Sequence, residues 1–217
     1  MEKELTKNKK ILNSLFIIFW VFMIGSVFGF FAEIIYSIIY THSIKVMRGL
    51  IYGPFIQIYG IGAVAFYILV SKVKSAKQAF FIGMIMGGSL EYLCSFFQEL
   101  IFGTISWDYS DQFLNLNGRT CLLYCIYWGI IAIIFFKIVN PSIKEVQHII
   151  NNKKVKVVTV FLMIFMIFDI TISCMAGTRQ RERRNCLPAE SKVDHFLDKH
   201  YPDELLDKIY NNKKDIN

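Results

Sequence analysis

Four acids, Glu33, Glu91, Glu99 and Asp169, lie inside long apolar stretches of this 217-residue chain. A carboxylate near the middle of a membrane helix costs about 2.5–3.5 kcal/mol on insertion scales, so each needs a partner or a task. The tasks open to such a group are binding a cation, carrying a proton and holding a polar headgroup. Arg48, Arg119, Arg179 and Arg181 supply the opposite charge at the ends of the same stretches. Ion pairs and carboxyl–backbone bonds that lock helices together would use the same residues, so a purely structural reading stands beside the functional one. Glu91 and Gln98, seven residues apart, share a helix face, with Glu99 slightly to the side and about 12 Å along the axis. Such a track could line a path.

Two of the acids sit in a repeated frame, Gly25-x3-Gly29-x3-Glu33-x3-Ser37 and Gly83-x3-Gly87-x3-Glu91-x3-Ser95. Residues four apart fall on one helix face, so each frame makes a small-residue stripe suited to close packing of transmembrane helices. The stripes suggest that 11–71 and 78–139 are related hairpins whose first helices run in the same direction, a parallel repeat. Tyr59-Gly60 would match Trp128-Gly129 in the second helices.

The elements that must position these groups are membrane helices. The chain is 54% hydrophobic and 16% aromatic, with a mean hydropathy of +0.43, too apolar for an ordinary soluble domain of this length. An all-α polytopic bundle of about five spans is expected, at 11–40, 54–71, 78–102, 120–139 and 155–176, each near the roughly 20 residues a bilayer requires. A basic tail (1–10) precedes the bundle (11–178), and a charged amphipathic tail (179–217) follows it. The first run is about twice a signal-peptide core and reads as a retained helix. Despite a net charge of +7, nucleic acid is not an expected partner, because the lysines cluster between apolar runs where they set orientation. The clusters Lys3/Lys7/Lys9/Lys10, Lys72/Lys74/Lys77 and Lys144/Lys153/Lys154/Lys156 place the N-terminus in the cytoplasm of a multi-pass plasma-membrane protein.

That rule conflicts with the C-terminal tail, which five spans put outside although it begins with Arg179, Arg181, Arg183 and Arg184. Either a sixth, re-entrant crossing exists around 44–60, or these arginines are held locally. With five full spans the first loop, the third loop and the arginines share one side. Ser191 is expected to cap a short helix bearing Val193, Phe196 and Leu197, and Pro202 to open another bearing Leu205, Leu206 and Ile209. Such short helices are marginal alone and should dock on the bundle or on a partner.

In the third connection Trp107-Asp108-Tyr109-Ser110 suits the headgroup zone, and Asp108 can close a turn on itself. Asn117-Gly118-Arg119 reads as a tight turn that aims Arg119 into the interface, where with Arg48 it could hold phosphate. No catalytic or metal site is expected: the chain lacks a P-loop, an H-E-x-x-H and a G-x-S-x-G, and its five cysteines form no C-x-x-C. No cofactor is expected either.

From about Gly29 to Pro141 the chain resembles the CmpB-like permease family, the type-IV ABC-transporter proteins of bacterial membranes. The likeness lies in Glu33, Arg48-Gly49, Gly53-Pro54, Tyr59-Gly60, Glu91, Glu99-x2-Phe102-Gly103, Trp107-Asp108-Tyr109-Ser110, Asn117-x-Arg119, Trp128-Gly129 and Pro141. Asp169, Arg179-Gln180-Arg181 and the stretch from Phe196-Leu197-Asp198 to Tyr201-Pro202-Asp203-Glu204 extend it. The resemblance implies a permease subunit, which would rely on a separate ATPase or on an ion gradient through protonation of Glu91, and a chain of this size would join further copies or subunits.

The expected function is therefore a permease-like component for a small solute or ion. Glu33, Glu91, Gln98, Glu99 and Asp169 would form its polar path. Arg48, Trp107, Asp108, Tyr109, Asn117, Arg119 and Arg179 would meet headgroups or the outer mouth, and Gly25, Gly29, Gly83 and Gly87 would pack helices. An intramembrane enzyme or binder of lipid headgroups, and a non-catalytic scaffold or sensor recruiting partners through its tail, are the alternatives.

Overall fold

The computed structural model describes residues 2–139, 141, 149–150 and 152–216, with side chains from residue 11 onward except residue 71. Lys144 and the side chains of the N-terminal lysines therefore lie outside the described residues. Helix α1 (Glu2–Thr41) is followed by α2 (Gln57–Leu69), α3 (Ala76–Phe102) and α4 (Leu122–Ile134), which a π-helical turn extends to Val139. Helix α5 (Lys153–Arg184) leads to the short helices α6 (Lys192–His200) and α7 (Asp203–Ile209). A two-residue strand pair joins β1 (Thr104–Ile105) to β2 (Lys214–Asp215) antiparallel, with Thr104 opposite Asp215. The architecture is an all-α membrane bundle.

Four stretches are long and apolar enough to cross a bilayer: Ile11–Thr41, Ala76–Phe102, Leu122–Val139 and Lys153–Arg184. The second expected span differs. Helix α2 has 13 residues, about 20 Å, and covers little more than half the bilayer core. The chain after α1 explains the shortfall. The Ile56 N–H donates to the Ser26 carbonyl at 3.1 Å, 15 residues or about 22 Å below the end of α1 at Thr41. Residues 42–56 thus re-enter along α1 and run on into α2 in one crossing, not as the sixth crossing of the 44–60 alternative, and α2 starts at mid-depth.

Irregular backbone at that depth survives only where protein replaces water as its partner. Here the Ile51 N–H donates to Ser173 Oγ at 3.0 Å and the Tyr52 N–H to Asp169 Oδ1 at 3.1 Å. Leu50 and Phe55 of the same segment pack with Met23 and Met166 in a buried cluster between α1 and α5.

The tail docks on the bundle rather than extending from it. Ser191 and Asp194 form a reciprocal capping box at the start of α6. Leu197, Tyr201, Leu206 and Tyr210 bury against Ile51, Ile172 and Ala176. Arg179, 4% exposed, grips Asp198 through Nε at 2.9 Å and Nη2 at 3.0 Å, and Glu182 through Nη1 at 2.9 Å. Arg183 bonds Asp198 and Asp203, Arg184 pairs with Asp207 and Asp215, and Arg181 donates to the Leu100 and Ile101 carbonyls at the end of α3. These contacts answer the charge conflict: the arginines are neutralised locally and carry no information on topology. With Asn211 donating to the Val46 carbonyl, they also bring the first loop, the third loop and the tail to one end of the bundle.

Hydrogen bonds from Arg179 and then Arg183 hold the Asp198 carboxyl down to about 2. Its folded value is below the unfolded value of about 3.9, so the folded tail binds fewer protons. The stabilisation is complete above about pH 4 and is lost as pH falls toward 2. Acid should therefore release α6 and α7 while the bundle keeps its helicity, read as amide exchange in 192–209, and Asp198→Asn should have the same tail exchange at neutral pH.

Candidate functional site

The two hairpins, α1 with α2 and α3 with α4, are built alike. A Cβ placed on Gly25 would stand 2.9 Å from the Tyr59 carbonyl and 3.2 Å from Gly60 Cα; one on Gly83 would stand 2.9 Å from the Trp128 carbonyl and 3.2 Å from Gly129 Cα. One turn on, Gly29 lies under the Tyr59 side chain and Gly87 under that of Trp128. The stripes are thus spent inside each hairpin. The second helices match as Tyr59-Gly60-x2-Ala63-x2-Phe66 and Trp128-Gly129-x2-Ala132-x2-Phe135. Equivalent residues meet across the middle: the Tyr59 and Trp128 rings are 5.8 Å apart and the Phe66 and Phe135 rings also 5.8 Å. Such self-pairing of equivalents is the mark of a two-fold axis between α2 and α4, as in a parallel repeat.

The repeat puts Glu33 and Glu91 in matching places, each facing the start of the second helix of its hairpin. Tyr59 Oη donates to Glu33 Oε1 at 2.6 Å, and Thr120 Oγ1, just before α4, donates to Glu91 Oε2 at 2.9 Å. Glu91 is 6% exposed. Open helix N-termini carry free N–H groups and partial positive charge, which steadies a carboxylate or an anion beside it. Around the pair stand tyrosines: Tyr36 Oη is 3.2 Å from Tyr124 Oη, and Tyr109 stacks on Tyr124 at 4.2 Å. A pair of membrane-embedded carboxyls with hydroxyl partners is chemically suited to holding a proton or a cation.

The other expected site residues fall elsewhere. Glu99 pairs with Arg119, whose guanidinium also donates to Ser95 Oγ at 3.2 Å and lies over the Tyr92 and Phe96 rings. Gln98 donates to the Thr104 and Ser106 hydroxyls. The Trp107 indole N–H donates to the Arg119 carbonyl at 2.8 Å, and Asn117 Nδ2 to Tyr92 Oη at 3.0 Å. These bonds close the third loop onto α3. Asp108 accepts from the Ser110 hydroxyl and N–H, which hold its carboxyl below the usual range; Asn117 and Gly118 turn with φ of 53° and 68° against it. Asp169, fully buried, pins the re-entrant segment through Tyr52 and Ser173 and is joined by none of the glutamates. Arg48 lies beside the tail with Tyr52 and Tyr201, and not with Arg119.

Residues the sequence reading passed over are Tyr59 and Thr120, the direct partners of the two acids. The match of Tyr59-Gly60 to Trp128-Gly129 pointed to the repeat but not to these hydroxyls as partners of the acids.

The family model described as "Putative ABC-transporter type IV" matches residues 20–174, from α1 through most of α5. The chain belongs to that family. No curated protein and no solved structure matches it. In this type IV family member, the matched region contains both hairpins, Glu33, Glu91 and Asp169. The docked tail lies beyond it. Among the described residues no group of three or more His, Cys, Asp or Glu side chains is placed to hold a metal ion.

Proposed function

We propose that this protein is the membrane component of an ABC-type transport system for a small solute or ion, with Glu33 and Glu91 as its binding residues. The observation that supports this most is the equivalent placement of the two carboxyls beside the starts of the second helices of two repeated hairpins. Discontinuous helices near the bilayer midplane are where transporters place substrate and ion sites. A carboxyl on each side of the axis lets the bound species shift between hairpins as they rock, while Asp169, Glu99 and Arg119 hold the returning chain in place. Rocking needs a drive, and the family points to a separate P-loop ATPase. The connection holding Lys72, Lys74 and Lys77, at the end opposite the docked tail, is the proposed contact. Purification in mild detergent tests this: a stoichiometric P-loop ATPase is expected, and its absence from native membranes would refute an ABC-type role.

This reading puts the lysine connections in the cytoplasm and the docked tail outside. Cys186, exposed just after α5, should then react with a membrane-impermeant maleimide in intact cells. Labelling only after lysis would reverse the orientation.

A further inference from the structure

We propose that the groove between the re-entrant segment and the docked tail binds one anionic phospholipid of the surrounding leaflet. The groove, of about 470 Å³, is walled by Ile51, Phe196, Leu205 and Ile209 and rimmed by Arg48 and His200. Six arginines are present in the chain. Arg119, Arg179, Arg183 and Arg184 each hold a carboxylate and Arg181 holds two carbonyls. Among the described residues, Arg48 alone has no such partner.

The walls are equally distinctive. In a tail that buries Leu197 and Leu206, Phe196 remains 49% exposed and Leu205 38%. The depth is fixed by the floor, since Ile51 and Tyr52 bond Ser173 and Asp169 on a membrane helix, and Tyr52 Oη meets Tyr201 Oη at 2.9 Å. An apolar groove with a cationic rim at that level matches a lipid laid along it, acyl chain on Phe196 and Leu205 and phosphodiester on the Arg48 fork. The lipid wedges the tail against the re-entrant segment, so its occupancy strengthens tail docking. The inference is independent of the transport reading.

The test is native mass spectrometry of the full chain with added phosphatidylglycerol or phosphatidylcholine. Phosphatidylglycerol should be retained in preference. Arg48→Gln, an exposed position without partners, should weaken that retention roughly fivefold and leave phosphatidylcholine unchanged, while Arg48→Lys keeps most of the preference. Equal retention of phosphatidylglycerol by wild type and Arg48→Gln overturns the proposal, as does Arg48-dependent retention of inorganic phosphate or of a second chain in place of lipid.

Discussion

Gly87→Ala should lower stability in detergent by about 3 kcal/mol, and Gly87→Leu should leave no folded protein in the membrane. The sign runs against helix propensity, by which alanine in a helix interior gains about 1 kcal/mol over glycine. The reason is position. A Cβ on Gly87 would overlap the Cβ and inner ring atoms of Trp128, which are tied to the backbone of α4 and cannot swing away. The hairpin would have to part, breaking the Thr120–Glu91 bond one turn above. Gly29, under Tyr59 in the first hairpin, should show a loss of the same size, because it occupies the equivalent place. Thermal unfolding of the two alanine variants measures both; a gain in stability at either would mean that the hairpins are not closed as described.

Replacing Glu33 and Glu91 together by glutamine should leave the bundle folded and weaken solute or ion binding about thirtyfold or more, the loss on truncating one side of a buried charged contact. Glutamine keeps the size and one acceptor oxygen, so the bonds from Tyr59 and Thr120 survive and expression should be unchanged. If transport persists, the pair is structural. The contrast is Glu99→Gln. It breaks the pair with Arg119 and should loosen the third loop, with a smaller effect on binding, since Glu99 faces the loop and not the axis.

The membrane bundle was legible because its signals are long and redundant: apolar runs of bilayer length, lysine clusters between them, and glycines at four-residue spacing that end where the helices touch. The repeated frame also placed Glu33 and Glu91 correctly with respect to each other. The half-length of α2 was not legible, because the expected span at 54–71 was only slightly short and residues 44–53, with Lys45 and Arg48, read as a loop; only the bonds from Tyr52 to Asp169 and from Ile56 to Ser26 show that the chain descends before the helix begins. For the same reason Asp169 read as one of a set of path acids. Its spacing along α5 says that it is buried, but not that an irregular backbone needs an acceptor there. The arginines after α5 misled through composition alone, since their carboxylates in the tail arrive from 15 to 31 residues later in sequence, Asp198 with Arg183 at one extreme and Asp215 with Arg184 at the other.

The most direct test of paired carboxyls as the binding site is to purify the protein and the Glu33→Gln/Glu91→Gln variant side by side from native membranes and identify everything each retains. The expected result is the same ATPase with both proteins and a bound small solute or ion with the wild type only. Identical small-molecule content in the two preparations would contradict the assignment of Glu33 and Glu91 as the binding residues.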